Sequence, residues 1–186
     1  LFKGFSVGFL LYLAILYSQN IITAEQLGII GSLLIVGTFS SSLLLSFIPH
    51  IANRKFSLYL SLLMILVSII LLKLGGSSAI ISISFFIAGA AVAIALITVD
   101  EITAHFSEKG NRFGAFANMA MMMDVVRMAY PLIFGALFSF LGTDGYIIGL
   151  TASLLIAVVF IIRLTKKYDL SSDSIADQIK ENPFRI

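Results

Sequence analysis

Residues 78–99 read SAIISISFFIAGAAVAIALITV, a run with no charged side chain, set between Lys73 on one side and Asp100 on the other. As a helix it would span roughly 33 Å at the usual rise per residue, enough to cross a hydrocarbon layer of about 30 Å. A strand of a lipid-facing barrel would alternate apolar and polar positions over about ten residues, and this run does not alternate. Backbone amides in lipid must find partners inside their own segment, so the run is expected to be a helix.

Five further apolar segments flank it: Gly4–Ile22, Leu27–Pro49 and Phe56–Leu74 before, Phe113–Leu141 and Tyr146–Leu164 after. Hydrophobic residues make up 59% of the chain and charged residues 12%, with a mean hydropathy of +1.05. A water-soluble domain carries about a quarter charged residues, so this surface needs lipid as part of its solvent. The expectation is an all-α membrane protein, a six-transmembrane-helix bundle over residues 1–167. The polar stretch 168–186, with Asp169, Asp173, Asp177 and Pro183, is expected to be a cytoplasmic tail or interdomain linker.

The composition also narrows the chemistry. A formal charge of +2, scattered along the chain, suggests no nucleic-acid partner. Cysteine is absent, and His50 and His105 lie far apart in sequence, so no metal or cofactor is expected. No Ser-His-Asp set or phosphate loop is present, and the chain is not expected to be an enzyme. It starts at Leu1 rather than Met, which reads as a cut with further chain upstream.

Charge placement sets the orientation. With the N-terminus inside, Lys3, Arg54, Lys55, Lys109, Arg112, Arg163, Lys166 and Lys167 all fall at cytoplasmic helix ends. The other side receives Lys73, Glu25 and Asp144. Cytoplasmic loops carry this Lys/Arg excess, so both termini are expected in the cytoplasm of a multi-pass protein of the cell membrane. Small residues crowd the second segment (Gly28, Gly31, Ser32, Gly37, Ser40 to Ser42) and the fourth (Ala88 to Ala91, Ala93, Ala95), as close helix packing in a membrane requires. The third and sixth segments, richer in Leu, Ile and Val, are expected to meet more lipid.

The second segment runs into Ser46-Phe-Ile-Pro-His-Ile-Ala-Asn-Arg54-Lys55. Leu27–Lys55 resembles the corresponding segment of the major facilitator superfamily, whose loop pattern is Gly, three residues, Asp, Arg/Lys, any residue, Gly, Arg/Lys, Arg/Lys. Ser46, His50, Ile51 and Asn53 stand where that pattern has Gly, Asp, a basic residue and Gly; Arg54 and Lys55 match it. The junction from Asp100-Glu101 to Arg112-Phe113-Gly114 and the turn Gly142–Gly145 are similar to the family as well. The resemblance implies one six-helix half of a secondary transporter that moves a small solute by alternating access. Its expected partners are the lipid bilayer, a complementary six-helix half, and the solute with a coupling proton or other ion. No Arg lies in residues 78–99, where the family's N-terminal half usually has one, so the chain more closely resembles the C-terminal half. The alternative is a non-transporting six-helix subunit or scaffold of a larger complex.

Within the fifth segment stand Asp124 and Arg127, about ten to fifteen positions past its start and so near the bilayer centre. An ionisable side chain there costs roughly 2.5–3.5 kcal/mol on insertion scales and by default marks function. Their i, i+3 spacing lets them neutralise each other, and Tyr130 and Pro131 are read as continuing that face. One reading makes Arg127 a substrate-anion or gating contact and Asp124 a coupling carboxylate. The other is a self-neutralised pair packed against polar groups. At the cytoplasmic end, the resemblance implies that Arg54 with Asp100 or Glu101 forms a gate of salt bridges; otherwise they are solvated loop ends. Tyr17-Ser18-Gln19-Asn20 either lines a cavity mouth or is interfacial polarity. The Met-rich stretch from Met119 to Met128 suits varied apolar ligands or simply loose packing.

Overall fold

The computed structural model describes residues 2–47, 54–75, 77–107 and 112–167. Among them it contains helices and no strand: α1 Phe2–Ser18, α2 Ala24–Phe47, α3 Arg54–Leu74, α4 Ser78–Phe106 and α5 Arg112–Lys167. The loop pattern around His50, the residues Glu108 and Lys109, and the expected tail from 168 onward lie outside the described residues. Helices α2 to α5 are each long and apolar enough to cross a membrane, and α1 is a shorter apolar helix. The protein is therefore an all-helical chain with several membrane-length apolar helices.

Five helical elements replace the six separate segments expected, because helical backbone resumes immediately after Gly142. Straight, the 56 residues of α5 would reach about 84 Å, nearly three bilayer cores. Gly142 breaks it with φ 62° and ψ −146°, a left-handed φ that only glycine adopts cheaply. The chain then folds back. Phe134 and Tyr146 have ring centroids 4.8 Å apart, where twelve residues of straight helix would separate them by about 18 Å. A Cβ on Gly145 would collide with the carbonyl oxygen of Leu137. α5 is thus two packed arms, 112–141 and 143–167, joined at one residue.

The α1–α2 connection is also short and well defined. Asn20 is left-handed at φ 56°; its N–H donates to Tyr17 O at 3.0 Å and that of Ile21 to Leu16 O at 3.0 Å, the Schellman pattern that ends a helix. Thr23 and Gln26 then exchange side-chain bonds with each other's backbone N–H at 3.3 and 3.0 Å, a capping box that starts α2. Ser77 caps α4 through the N–H of Ile80. The Tyr17–Asn20 polarity is therefore a helix stop, with Gln19 bonded at 3.3 Å to Thr143 beside the α5 turn.

Helix α4 is the hub, packing against α2, α3 and α1, while α1 also packs against the α5 arms. The buried positions explain why. In α1 they include Phe2, Phe5, Phe9, Tyr12 and Leu16; in α3, Leu58, Leu62, Ile65, Ile69 and Leu72. Alternating steps of three and four make one apolar seam along a helix, the geometry of shallow left-handed crossings. Where α2 crosses α4 the seam narrows to glycine. A Cβ on Gly89 would meet the backbone of Leu34, its carbonyl carbon at 2.8 Å, and one on Gly37 would strike Phe86 O with Ala90 N at 3.1 Å. Thr38 Oγ1 also donates across the crossing to Gly89 O at 3.2 Å.

The α3–α4 contact holds a different device. Ser68 Oγ donates to Ser84 O and Ser84 Oγ to Ser68 O, both at 2.8 Å, with the hydroxyl oxygens 3.0 Å apart. Both serines are fully buried. Helix α3 is more enclosed than its Leu/Ile/Val content suggests, burying Ser57, Ser61 and Ser68 beside Leu58, Leu62, Ile65, Ile69 and Leu72, and far more of it is buried than of α2. The helix most open to its surroundings is α2, whose contact with α4 is a narrow line of small residues.

Two outcomes follow for thermal unfolding in mild detergent. Gly89→Ala is expected to lose about 1–3 kcal/mol, because the new methyl lands on the Leu34 backbone. Gly28→Ala, with open space around it, is expected to be neutral or stabilising by up to about 1 kcal/mol. In a double-mutant cycle, Ser68→Ala and Ser84→Ala should show a coupling of about 0.6 kcal/mol, as expected of a hydrogen bond between membrane helices.

Candidate functional site

The first arm of α5 holds the rest of the bundle through one stripe. Tyr130 and Phe134 are buried, with Val126 and Phe138 packed against the core. Tyr130 stacks on Phe134 with centroids 5.2 Å apart, and its ring fills the space over Gly4 of α1, where a Cβ would lie 2.9 Å from Cε1 and closer still to Cζ. Phe134 reaches Gly8, Gly149 and Tyr146. Tyr146 continues the aromatic ladder to Tyr12 at 6.0 Å, and Phe9 closes it onto Phe85 of α4, edge to face, at 5.5 Å. Aromatic rings supply both large buried area and directional contacts here.

Away from that stripe the arm is open. Asp124 and Arg127 form an ion pair, Arg127 Nη1 donating to Asp124 Oδ1 at 3.3 Å, and their side chains are 64% and 53% exposed. Around them Met121, Met122, Val125, Met128 and Leu132 are exposed too. The pair lies some 18 to 23 Å along an arm of about 45 Å, so it straddles the middle. Pro131 has no N–H to offer the Arg127 carbonyl, which loosens the helix one turn beyond the pair.

The sequence-based grouping of Tyr130 with this pair does not hold. Tyr130 is only 6% exposed and is turned into the core against α1, because steps of three drift by about 60° each around a helix and six positions carry it off the face of Asp124. Its hydroxyl is buried without a well-formed hydrogen bond. The candidate site proper is thus Asp124, Arg127 and the methionine-rich surface around them. Among the described residues no group of His, Asp or Glu is arranged to hold a metal.

At the end of the bundle where α1 and α3 begin and α4 finishes, Arg54 Nε lies 3.6 Å from Glu101 Oε2. Asp100 is exposed nearby and interacts electrostatically with Lys3 rather than with Arg54. Of the two partners left open for Arg54, the structure selects Glu101. Helix α4 extends through both carboxylates to Phe106, so they ride on a rigid element. This end carries Lys3, Arg54, Lys55, Arg163 and Lys166, and the opposite end Lys73, Glu25 and Asp144; the contact of Tyr59 with Thr165 at 3.5 Å and that of Gln19 with Thr143 fix which helix ends share a side.

Sequence reasoning missed the Ser68–Ser84 exchange and the seat of Tyr130 over Gly4. Neither leaves a motif, since each joins single residues from separate helices. When the chain is compared with known proteins, no family model matches it, and no curated protein or solved structure matches it either.

Proposed function

We propose that the chain is one six-helix half of a secondary transporter, moving a small solute across the membrane by alternating access. The observation that carries the reading is the Asp124–Arg127 pair, exposed on an arm that otherwise faces outward with apolar side chains. Charges at that depth are too costly for plain lipid contact and by default face protein or a water-filled path. A complementary six-helix half placed against this arm would enclose such a path. The α5 arms count as the fifth and sixth spans in this reading. The end rich in Lys and Arg faces the cytoplasm, with the chain's two ends on that side.

On this reading Arg127 meets an anionic or polar group of the solute, and Asp124 couples to a proton or other ion. Tyr130 supports the pair from behind by bracing the arm on α1. Arg54 and Glu101 close the cytoplasmic side. The resemblance to a C-terminal half of the major facilitator superfamily points the same way. A non-transporting membrane subunit remains the second reading, favoured by one observation: the pair already neutralises itself at 3.3 Å.

The chain contains no cysteine, which makes a direct test simple. Single cysteines at positions 124 and 128 are expected to react with a charged, membrane-impermeant maleimide at least roughly tenfold faster than cysteines at 156 and 160, because the reactive thiolate forms in water and not in lipid. Equal, slow labelling at all four sites would sink the idea of an aqueous path. In uptake assays of the intact protein, Arg127→Ala should abolish transport while changing thermal stability by no more than about 0.5 kcal/mol, as for other outward-facing side chains. Arg54→Glu and Glu101→Arg should each impair transport, and the double exchange should restore it. Arg54 is half-buried and Glu101 exposed, and since the direct worth of an ion pair near the surface is only about 0.2–1 kcal/mol, the readout is rate rather than stability.

A further inference from the structure

The basic end of the bundle is not uniform. Arg54 has Glu101 at 3.6 Å and so is already paired within the chain, and Lys3 lies within electrostatic range of Asp100. Lys55, Arg163 and Lys166 are exposed and have no carboxylate partner among the described residues. They share one place in the fold. Tyr59 Oη and Thr165 Oγ1 lie 3.5 Å apart, which joins the first turns of α3 to the last turns of α5. Lys55 stands one turn beyond Tyr59 on the same face, and Lys166 follows Thr165, with Arg163 three positions earlier on the outward side.

Beneath this cluster the surface turns apolar. Leu63, Leu66 and Ile70 continue the Lys55–Tyr59 face of α3, and Leu155, Val159 and Ile162 continue the Lys166 face of α5; all six are exposed. A patch of three unanswered cations and two hydroxyls, heading two exposed apolar stripes at the end of membrane-length helices, matches one kind of molecule. A free anion would use the cations and leave the stripes idle. A neutral lipid would use the stripes and leave the cations idle. The start of α3 also presents the positive end of its dipole to the same spot.

We infer that the seam between α3 and the second arm of α5 is a binding site for an anionic phospholipid, its phosphate held by Lys55, Arg163 and Lys166 and its acyl chains laid along the two stripes. Basic pockets between membrane helices at the cytoplasmic side hold acidic head groups in this way. The long stems of Lys and Arg lie on apolar surface while their charged ends reach the interface. The inference rests on the membrane-length helices and not on any transport activity.

The test is native mass spectrometry of the intact protein in mild detergent, re-supplied with phosphatidylglycerol or phosphatidylcholine of the same chain length. Phosphatidylglycerol is expected to stay bound in preference to phosphatidylcholine. Retention should fall by roughly fivefold for each cation removed in Lys55→Gln, Arg163→Gln and Lys166→Gln, since each basic residue near an acidic lipid contributes a similar factor. Lys73→Gln, at the opposite end, should leave retention unchanged. Equal retention of both lipids, or a triple variant that keeps its preference, overturns the site. Displacement of the lipid by soluble glycerol phosphate would show a phosphate site that ignores the chains, and overturns it equally. If the triple variant does not fold, the two-lipid comparison on the unaltered protein and the single Lys166→Gln variant still decide.

Discussion

Inside a bilayer, apolar side chains gain little by leaving lipid for protein, so helices must be held together by close approach and by polar groups with nowhere else to go. In this chain that constraint converges on α4. At Gly89 it admits the α2 backbone itself, with no side chain between Leu34 and the glycine, and a turn and a half earlier in sequence Ser84 trades hydrogen bonds with Ser68 of α3. Two neighbours are thus fixed by different means, one by shape and one by hydrogen bonding. α1 is then packed against the same hub through Phe9 and Phe85, and the α5 arms are carried on α1 by the Tyr130–Phe134–Tyr146 ladder. The chain of dependence runs from α4 outward, and the arm bearing Asp124 and Arg127 is its last link.

Much of this was legible beforehand because membrane length and apolar composition leave little choice of secondary structure. The expected segments match α1 to α3 within a few residues and the start of α4, which runs seven residues past Val99 to Phe106; the expected turn Gly142–Gly145 contains the break at Gly142. The crowding of small residues in α2 and α4 signals close helix packing, and the two helices make that close approach to each other. What could not be read was which side of each helix meets which neighbour. Tyr130 looked like a companion of Arg127 in one dimension and is turned away from it in three. α3 looks lipid-facing by composition, yet one face of it, with three serines among its Leu and Ile, is buried. The polar cluster ending α1 reads in sequence as either a cavity mouth or interfacial polarity, although the spacing Thr23-x-x-Gln26 carries a recognisable capping signal. Pairings such as Arg54 with Glu101 depend on where α4 ends, and a charged turn continuing an apolar helix does not announce that.

The Asp124–Arg127 pair sits where the fold provides least support. Its arm is held chiefly by one stripe, against α1 through Tyr130 and Phe134 and against α4 where Thr103 Oγ1 meets Met119 Sδ at 3.6 Å. The second arm also meets α3 through Tyr59 and Thr165, so the arms are tied to the hub group at more than one point.

The single-residue turn at Gly142 has a consequence for how the protein enters the membrane at all. A hairpin whose arms meet at one glycine has no hydrophilic loop to push through the bilayer; Asp144 is the only charge near its tip. The two arms are therefore suited to partition from the translocation machinery together, as one wedge whose backbone bonds are closed and whose Phe134 and Tyr146 faces already meet. Separate insertion would leave that aromatic ladder facing lipid and would demand a longer tether.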